Sequence, residues 1–220
     1  MIRLTDISFG YGDIPVLNHI NYEIQKGETV LLEGPNGCGK STLMQLLNGL
    51  IFADSGTYFL DGEEVTEKKL KDNLTAKKFH SRIGYLFQRS DTQLFNASVA
   101  EEIAFGPRAM KLPEAEIEER VTDCMKMLHI ENLRERTPYH LSGGEQKKVA
   151  FASILVTNPD VYILDEPFNN LDVASRDLLL SIFQSLRQNG KTMLIAAHGE
   201  ESIRQLADRS WELLDKQEAE

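Results

Sequence analysis

Nothing in this sequence narrows the choice of fold as much as GPNGCGKST, residues 34–42, set between the apolar run TVLLE and the helix-patterned STLMQLLNGL. It fits Gly-x-x-x-x-Gly-Lys-Ser with Gly34, Gly39, Lys40 and Ser41 in place, and that motif needs a strand before it and a helix after. Glycines let successive backbone N–H groups turn inward toward phosphates, and the start of the following helix adds a favourable dipole. Such a loop predicts Lys40 at the β- and γ-phosphates of a nucleotide, Ser41 on Mg²⁺, and Thr42 one step further into the first turn.

The rest of the chain extends that unit into an α/β fold. In VYILDEP four apolar residues carry a strand through a core, and Asp165 emerges at its C-terminal end, where open parallel sheets hold their ligands. Asp165 is the natural Mg²⁺ partner there, and Glu166 the natural base for an attacking water. IGYLFQ reads as a strand closing on Gln88, and KTMLIAAH as one closing on His198. Alone, each is an ordinary polar residue; as strand ends of one sheet, both would reach the γ-phosphate. The helix pattern DVASRDLLLSIFQSLRQ between two buried strands is the rhythm of a parallel sheet with crossover helices.

Upstream, IRLTDISFGY and INYEI read as strands, and TYFLDGEEV as a hairpin turning at Asp61-Gly62. KKLKDNLTAKK has no clear period and is expected to be a solvated excursion. From Ser98 to about Leu155 the character is helical. Ile117, Val121, Met125 and Leu128 share one helical face, with Pro113 suited to the first turn. The expectation is a helical lobe inserted between strands, and a frayed DKQEAE at the end.

Bulk properties exclude several function classes. No run approaches the 18 or so apolar residues of a membrane span, and the N-terminus lacks an apolar segment of the signal-peptide kind, so a cytosolic location is expected. A net charge of −10 argues against nucleic acid or anionic lipid as a direct partner. Cys38 and Cys124 are far apart with no metal-ligand spacing, which predicts two free thiols. Cys38 lies inside the phosphate loop at a helix start, where a thiolate is favoured and alkylation would inhibit. The alternative is that it is simply a small residue that fits.

LSGGEQKKVA, from Leu141, places a second serine–glycine cradle before a helix, and one nucleotide does not explain two cradles. The phosphate loop, Gln88, LSGGE, ILDEP, NNLD and His198 occur in that order across nearly the whole chain, and together they resemble the ATP-binding cassette (ABC) ATPases. The resemblance implies a P-loop NTPase core with a mostly parallel sheet, an N-terminal antiparallel β-subdomain and an inserted α-helical subdomain at approximately 90–157, all in one nucleotide-binding domain, 1–220.

It also implies that Gly34, Asn36, Gly37, Cys38, Gly39, Lys40, Ser41 and Thr42 hold ATP, with Tyr11 stacked on adenine, although FGYG could equally put Phe9 or Tyr11 in a core. Ser41, Gln88 and Asp165 would bind Mg²⁺. Glu166, His198, Gln88 and Lys40 would be catalytic. Ser142, Gly143, Gly144 and Glu145 would bind the ATP of a second cassette, identical or paralogous, with Asp172 crossing that interface. A membrane transporter subunit would then hold the pair at the cytoplasmic face of the cell membrane.

FQRSDTQLFNASVAEEIAFGP resembles the matching segment of energy-coupling factor importers, including the cobalt and nickel type, where it faces a membrane protein's coupling helix. Import of a metal ion or vitamin is the implied task. A non-transport ABC ATPase or an export motor is the alternative. Phe168, Asn169 and Asn170 stand where the family commonly has Thr-x-Gly, Lys148 where arginine is common, and Gly199 where aspartate is common. These departures bear on interface geometry and hydrolysis rate.

Overall fold

The chain opens with β1 (Ile2–Tyr11) and β2 (Ile14–Ile24), passes through β3 (Thr29–Glu33) and α1 (Lys40–Leu47), and returns in β4 (Ser55–Leu60) and β5 (Glu63–Glu64) in a computed structural model that describes residues 1–213. β1, β2, β4 and β5 form an antiparallel sheet ordered β2-β1-β4-β5. The β4–β5 turn is the expected Asp61-Gly62, with both residues at positive φ (49° and 79°), the mirror-image turn that matches strand twist. α1 stops at Asn48 and Gly49, as its pattern predicts; Gly49 has φ 67°, a conformation glycine adopts without strain.

The charged stretch after this hairpin is not a plain excursion. It folds into α2 (Glu67–Leu70) and α3 (Asn73–His80), begun by the side chains of Thr66 and Asp72, which accept from the backbone N–H groups of Lys69 and Thr75. Two caps replace the missing hydrophobic period, and only Leu70 and Phe79 dip into the core.

Next come β6 (Ile83–Leu86), α4 (Val99–Ala109), α5 (Glu114–Met127), α6 (Gly143–Leu155), β7 (Val161–Asp165), α7 (Val173–Gln188), β8 (Thr192–Ala196), α8 (Glu201–Leu206) and β9 (Arg209–Glu212). A second, wholly parallel sheet runs β6-β7-β8-β3-β9. Its three central strands, β7, β8 and β3, carry near-continuous apolar runs because both faces are covered, one by the later helices and the other by α1 and the antiparallel sheet. Pro113 is the N-cap of α5, with ψ 141°, instead of a first-turn residue: its locked φ suits either place, but its extended ψ lies outside the helix. Ile117, Val121, Met125 and Leu128 are buried as one face, in a core shared with Phe151 and with Tyr162 and Leu164 of β7. Each such side chain contributes about 1.5–3 kcal/mol relative to exposure. The DKQEAE expectation lies outside the described residues.

The parallel sheet has a functional edge. Residues 34–39 leave β3, Gln88 follows β6, Asp165 and Glu166 end β7, and His198 follows β8, all at the carboxyl ends of the strands.

Candidate active site

The phosphate loop runs from β3 into α1 and bends through three glycines at positive φ: Gly34 (144°), Gly37 (84°) and Gly39 (107°). Gly34 is obligatory on space as well, since a Cβ there would lie 2.4 Å from the Leu213 carbonyl oxygen and 2.8 Å from the Cys38 sulfur. No side chain caps α1, so its first-turn N–H groups, from Lys40 onward, face the loop's own concavity. The Lys40 ammonium spans that concavity, donating to the carbonyls of Gly34 (2.7 Å) and Pro35 (3.0 Å). Asn36 and Gly37 form the exposed rim, and Ser41 and Thr42 lie half-buried in the first turn.

Cys38 is 2% exposed and turned behind the loop. Burial denies access to a thiol reagent, so the small-residue reading is the one the geometry favours. Both cysteines are free. At the N-terminal sheet, Phe9 packs against the core while Tyr11 stands exposed, edge-on to Phe9 at 5.0 Å, leaving the Tyr11 ring accessible.

Asp165 and Glu166 differ although adjacent. Asp165 is buried, and burial raises its carboxyl above the usual range against the pull of a Ser41 hydrogen bond and of the Lys147 and Lys40 charges. Glu166 is likewise raised by burial, opposed first by His198, whose Nε2 lies 3.6 Å from Oε1. Its backbone is left-handed (φ 50°), a strained conformation for a non-glycine residue, pinned by its N–H donating to the Ala196 carbonyl at 2.9 Å. A carboxylate raised toward neutrality at a cavity wall can accept a proton from water. Asn36, Gln88, Glu166 and His198 share that cavity, and Gln88 also lines a second one with Ser41 and Asp165. Gln88 therefore lines the cavity of Ser41 and Asp165 as well as that of Glu166.

The second cradle is built on other terms. Ser142 caps α6: its Oγ accepts from the Glu145 N–H (3.3 Å), and the Ser142 N–H donates to Glu145 Oε2 (2.9 Å). Ser-x-x-Glu is a capping box, legible in LSGGE beside the phosphate reading. Glu145 spends its carboxylate on this cap, which holds it below the usual range, chiefly through the Ser142 backbone N–H. Gly143 and Gly144 lie against Asn170, a Cβ on Gly144 falling 3.0 Å from the Asn170 carbonyl oxygen. Asp172 caps α7 through the Ser175 N–H and is lowered for that reason. Lys148, Asn170 and Asp172 line one pocket with Ser142 and both glycines. That pocket shares no lining residue with the cavities around Ser41 and Glu166.

Residues 17–169 match the family model described as ABC transporter. The chain belongs to the ABC transporter ATPases. The cassette is 42% identical over 95% of its length to the nickel import ATP-binding protein LarO of Lactiplantibacillus plantarum, of which it covers 87%. Among solved structures, cbiO1 of Clostridium perfringens, part of the ABC transporter complex cbiONQ, matches with TM-score 0.80 and 34% identity over 96% of this chain and 83% of that one. A dimeric, post-hydrolysis cassette, MJ0796 bound to ADP and Pi, matches with TM-score 0.87 and 26% identity over 98% and 97%. The cassette is thus an ATP-binding, ATP-hydrolysing subunit of the α/β P-loop class.

One of the departures from the family pattern lies at the Ser142 pocket, and one buried residue escaped the sequence reading. Asn170, at φ 66°, packs on Gly143 and Gly144, the glycines of the LSGGE signature segment, and asparagine tolerates that positive φ. Lys147, which the sequence reading did not single out, lies fully buried on α6. Only the apolar neighbours Val149, Ala150 and Phe151 hinted that this turn faces inward.

Proposed function

We propose that this cassette is the ATPase motor of an energy-coupling factor type importer carrying a metal ion or vitamin, with two ATP molecules closed between paired cassettes. The observation that carries the pairing is the separation of the two cradles: the signature pocket and the Glu166 cavity have no residue in common. In this reading a nucleotide on the phosphate loop is completed by another cassette's Ser142, Gly143 and Gly144. Closure is favoured because ATP contacts both surfaces only in the closed pair.

In this reading Lys40 and the N–H groups of residues 34–42 hold the β- and γ-phosphates, and Tyr11 stacks on adenine. Ser41 and Asp165 fit Mg²⁺, being a hydroxyl and a buried carboxylate that line one cavity, with Gln88 alongside. The ion would neutralise phosphate charge. Glu166 takes the proton of the attacking water, and His198 steadies the γ-phosphate. The domain is one nucleotide-binding unit whose helical subdomain spans approximately 90–157.

The membrane partner is supported by an exposed aromatic pair. Buried Glu102 accepts from the N–H groups of Phe95 (2.8 Å) and Asn96 (2.7 Å), which fixes the loop so that Phe95 is 58% exposed, edge-on to the half-exposed Phe105 at 4.9 Å. Exposed aromatics held this rigidly suit a protein partner at the cytoplasmic face. No described helix is long and apolar enough to cross a membrane, so attachment runs through that partner.

The solution mass of Glu166→Gln with and without ATP and Mg²⁺ tests the pairing. A dimer appearing only with ATP supports a homodimer; a monomer that binds ATP means that the partner is a different cassette or that the membrane subunit must first bring the two together.

A further inference from the structure

Lys147 is 1% exposed, yet it keeps its ammonium far from solvent with no carboxylate as a hydrogen-bond partner. Its three N–H donors meet three backbone carbonyls: Gln88 at 2.9 Å, Phe87 at 3.3 Å and Glu166 at 3.4 Å. The count matches the donor capacity of the group; the Glu166 carbonyl accepts from the Asn169 N–H as well, at 3.3 Å. Those acceptors belong to the segments leaving β6 and β7, the two that present Gln88 and Glu166 to the same cavity. Lys147 itself belongs to α6, one turn beyond Gly143. A helix moves as a body, so a displacement of its capped N-terminus carries the ammonium with it.

We propose that Lys147 is a positioning residue that locks Gln88 and Glu166 to the signature helix, so that docking of the opposite cassette's nucleotide on Ser142–Gly144 sets the hydrolytic geometry. The proposal rests on the roles assigned above to Glu166 and the signature cradle. Burial lowers the Lys147 ammonium to about 8, opposed by the nearby charges of Asp165 and Glu166, which is the electrostatic strain of holding a cation there. An apolar side chain of equal length would fill the space, leave the Phe87 and Gln88 carbonyls without this donor, and leave the Glu166 carbonyl with only the Asn169 N–H.

The test compares Lys147→Met and Lys147→Arg with the unchanged chain, in ATP affinity, in kcat at saturating ATP and Mg²⁺, and in amide exchange over residues 87–93. The expected result for Lys147→Met is a kcat lower by about 10- to 100-fold, an ATP Kd within about threefold, and faster exchange over 87–93. Lys147→Arg, whose guanidinium can still donate to the carbonyls, should recover most of the kcat. If Lys147→Met does not fold, Lys147→Gln takes its place. Turnover within about twofold of the unchanged chain, or affinity falling in parallel with kcat, overturns the proposal. If the unchanged chain itself fails to hydrolyse ATP, the reading of the active site fails instead, and unaltered exchange over 87–93 would still defeat the role of Lys147.

Discussion

Two helices of this molecule begin at glycine-rich phosphate motifs, and they solve the same end problem in opposite ways. α1 has no side-chain cap and leaves its first N–H groups turned into a loop bridged by Lys40. α6 caps itself with Ser142 and Glu145. The ionisable groups divide in the same way. Asp165 and Glu166, beside α1, are pushed up by burial, whereas Glu145 and Asp172, at the starts of α6 and α7, are pulled down by backbone N–H groups. One region leaves its helix start without a side-chain cap; the other closes its own with a capping box.

The contrast breaks most visibly at Lys40. Lys40→Ala should abolish ATP binding or turnover, read by nucleotide affinity and phosphate release, and full activity would move the primary site off the α1 loop. Glu166→Gln should bind ATP yet hydrolyse it roughly a hundredfold more slowly, measured in single turnover, because the proton acceptor is gone. Ser142→Ala should act on the self-capped side alone. It costs about 1 kcal/mol of stability, or 2–4 °C in a melt without nucleotide, and weakens ATP-driven dimerisation while leaving primary ATP affinity near normal.

A pH series of melting temperatures sharpens the division. The Glu166 contribution is present below its unfolded value of about 4.3 and is lost as pH rises through the raised folded value. Glu166→Gln should therefore gain on the unchanged chain as pH rises above about 4.3. Glu145 runs the other way: its contribution is present above about 4.3 and fades as pH falls through the lowered folded value, so Glu145→Gln should cost most near neutrality. The smallest effect expected is at Cys38, where alkylating reagents should leave ATPase activity unchanged because the thiol is buried.

Chemistry that works through consecutive residues was legible in the sequence. GPNGCGKST and ILDEP act through local backbone and a single strand end, so their order and spacing carried the argument. Lys147 was not legible, because its meaning depends on which carbonyls meet its tip, and these lie on two other strand exits. The caps at Thr66 and Asp72 were present in the letters, but four- and eight-residue helices are too short to declare a period. Tyr11 and Phe9 needed the sheet itself, since alternation inside FGYG does not say which face is covered.

The left-handed backbone at Glu166 sets stability against turnover at a single position. Glycine would sit there unstrained and without a buried carboxylate, so Glu166→Gly should melt higher while losing catalysis. Any sequence optimised for thermal robustness alone would drift away from glutamate at this site, and only selection for turnover would hold it there.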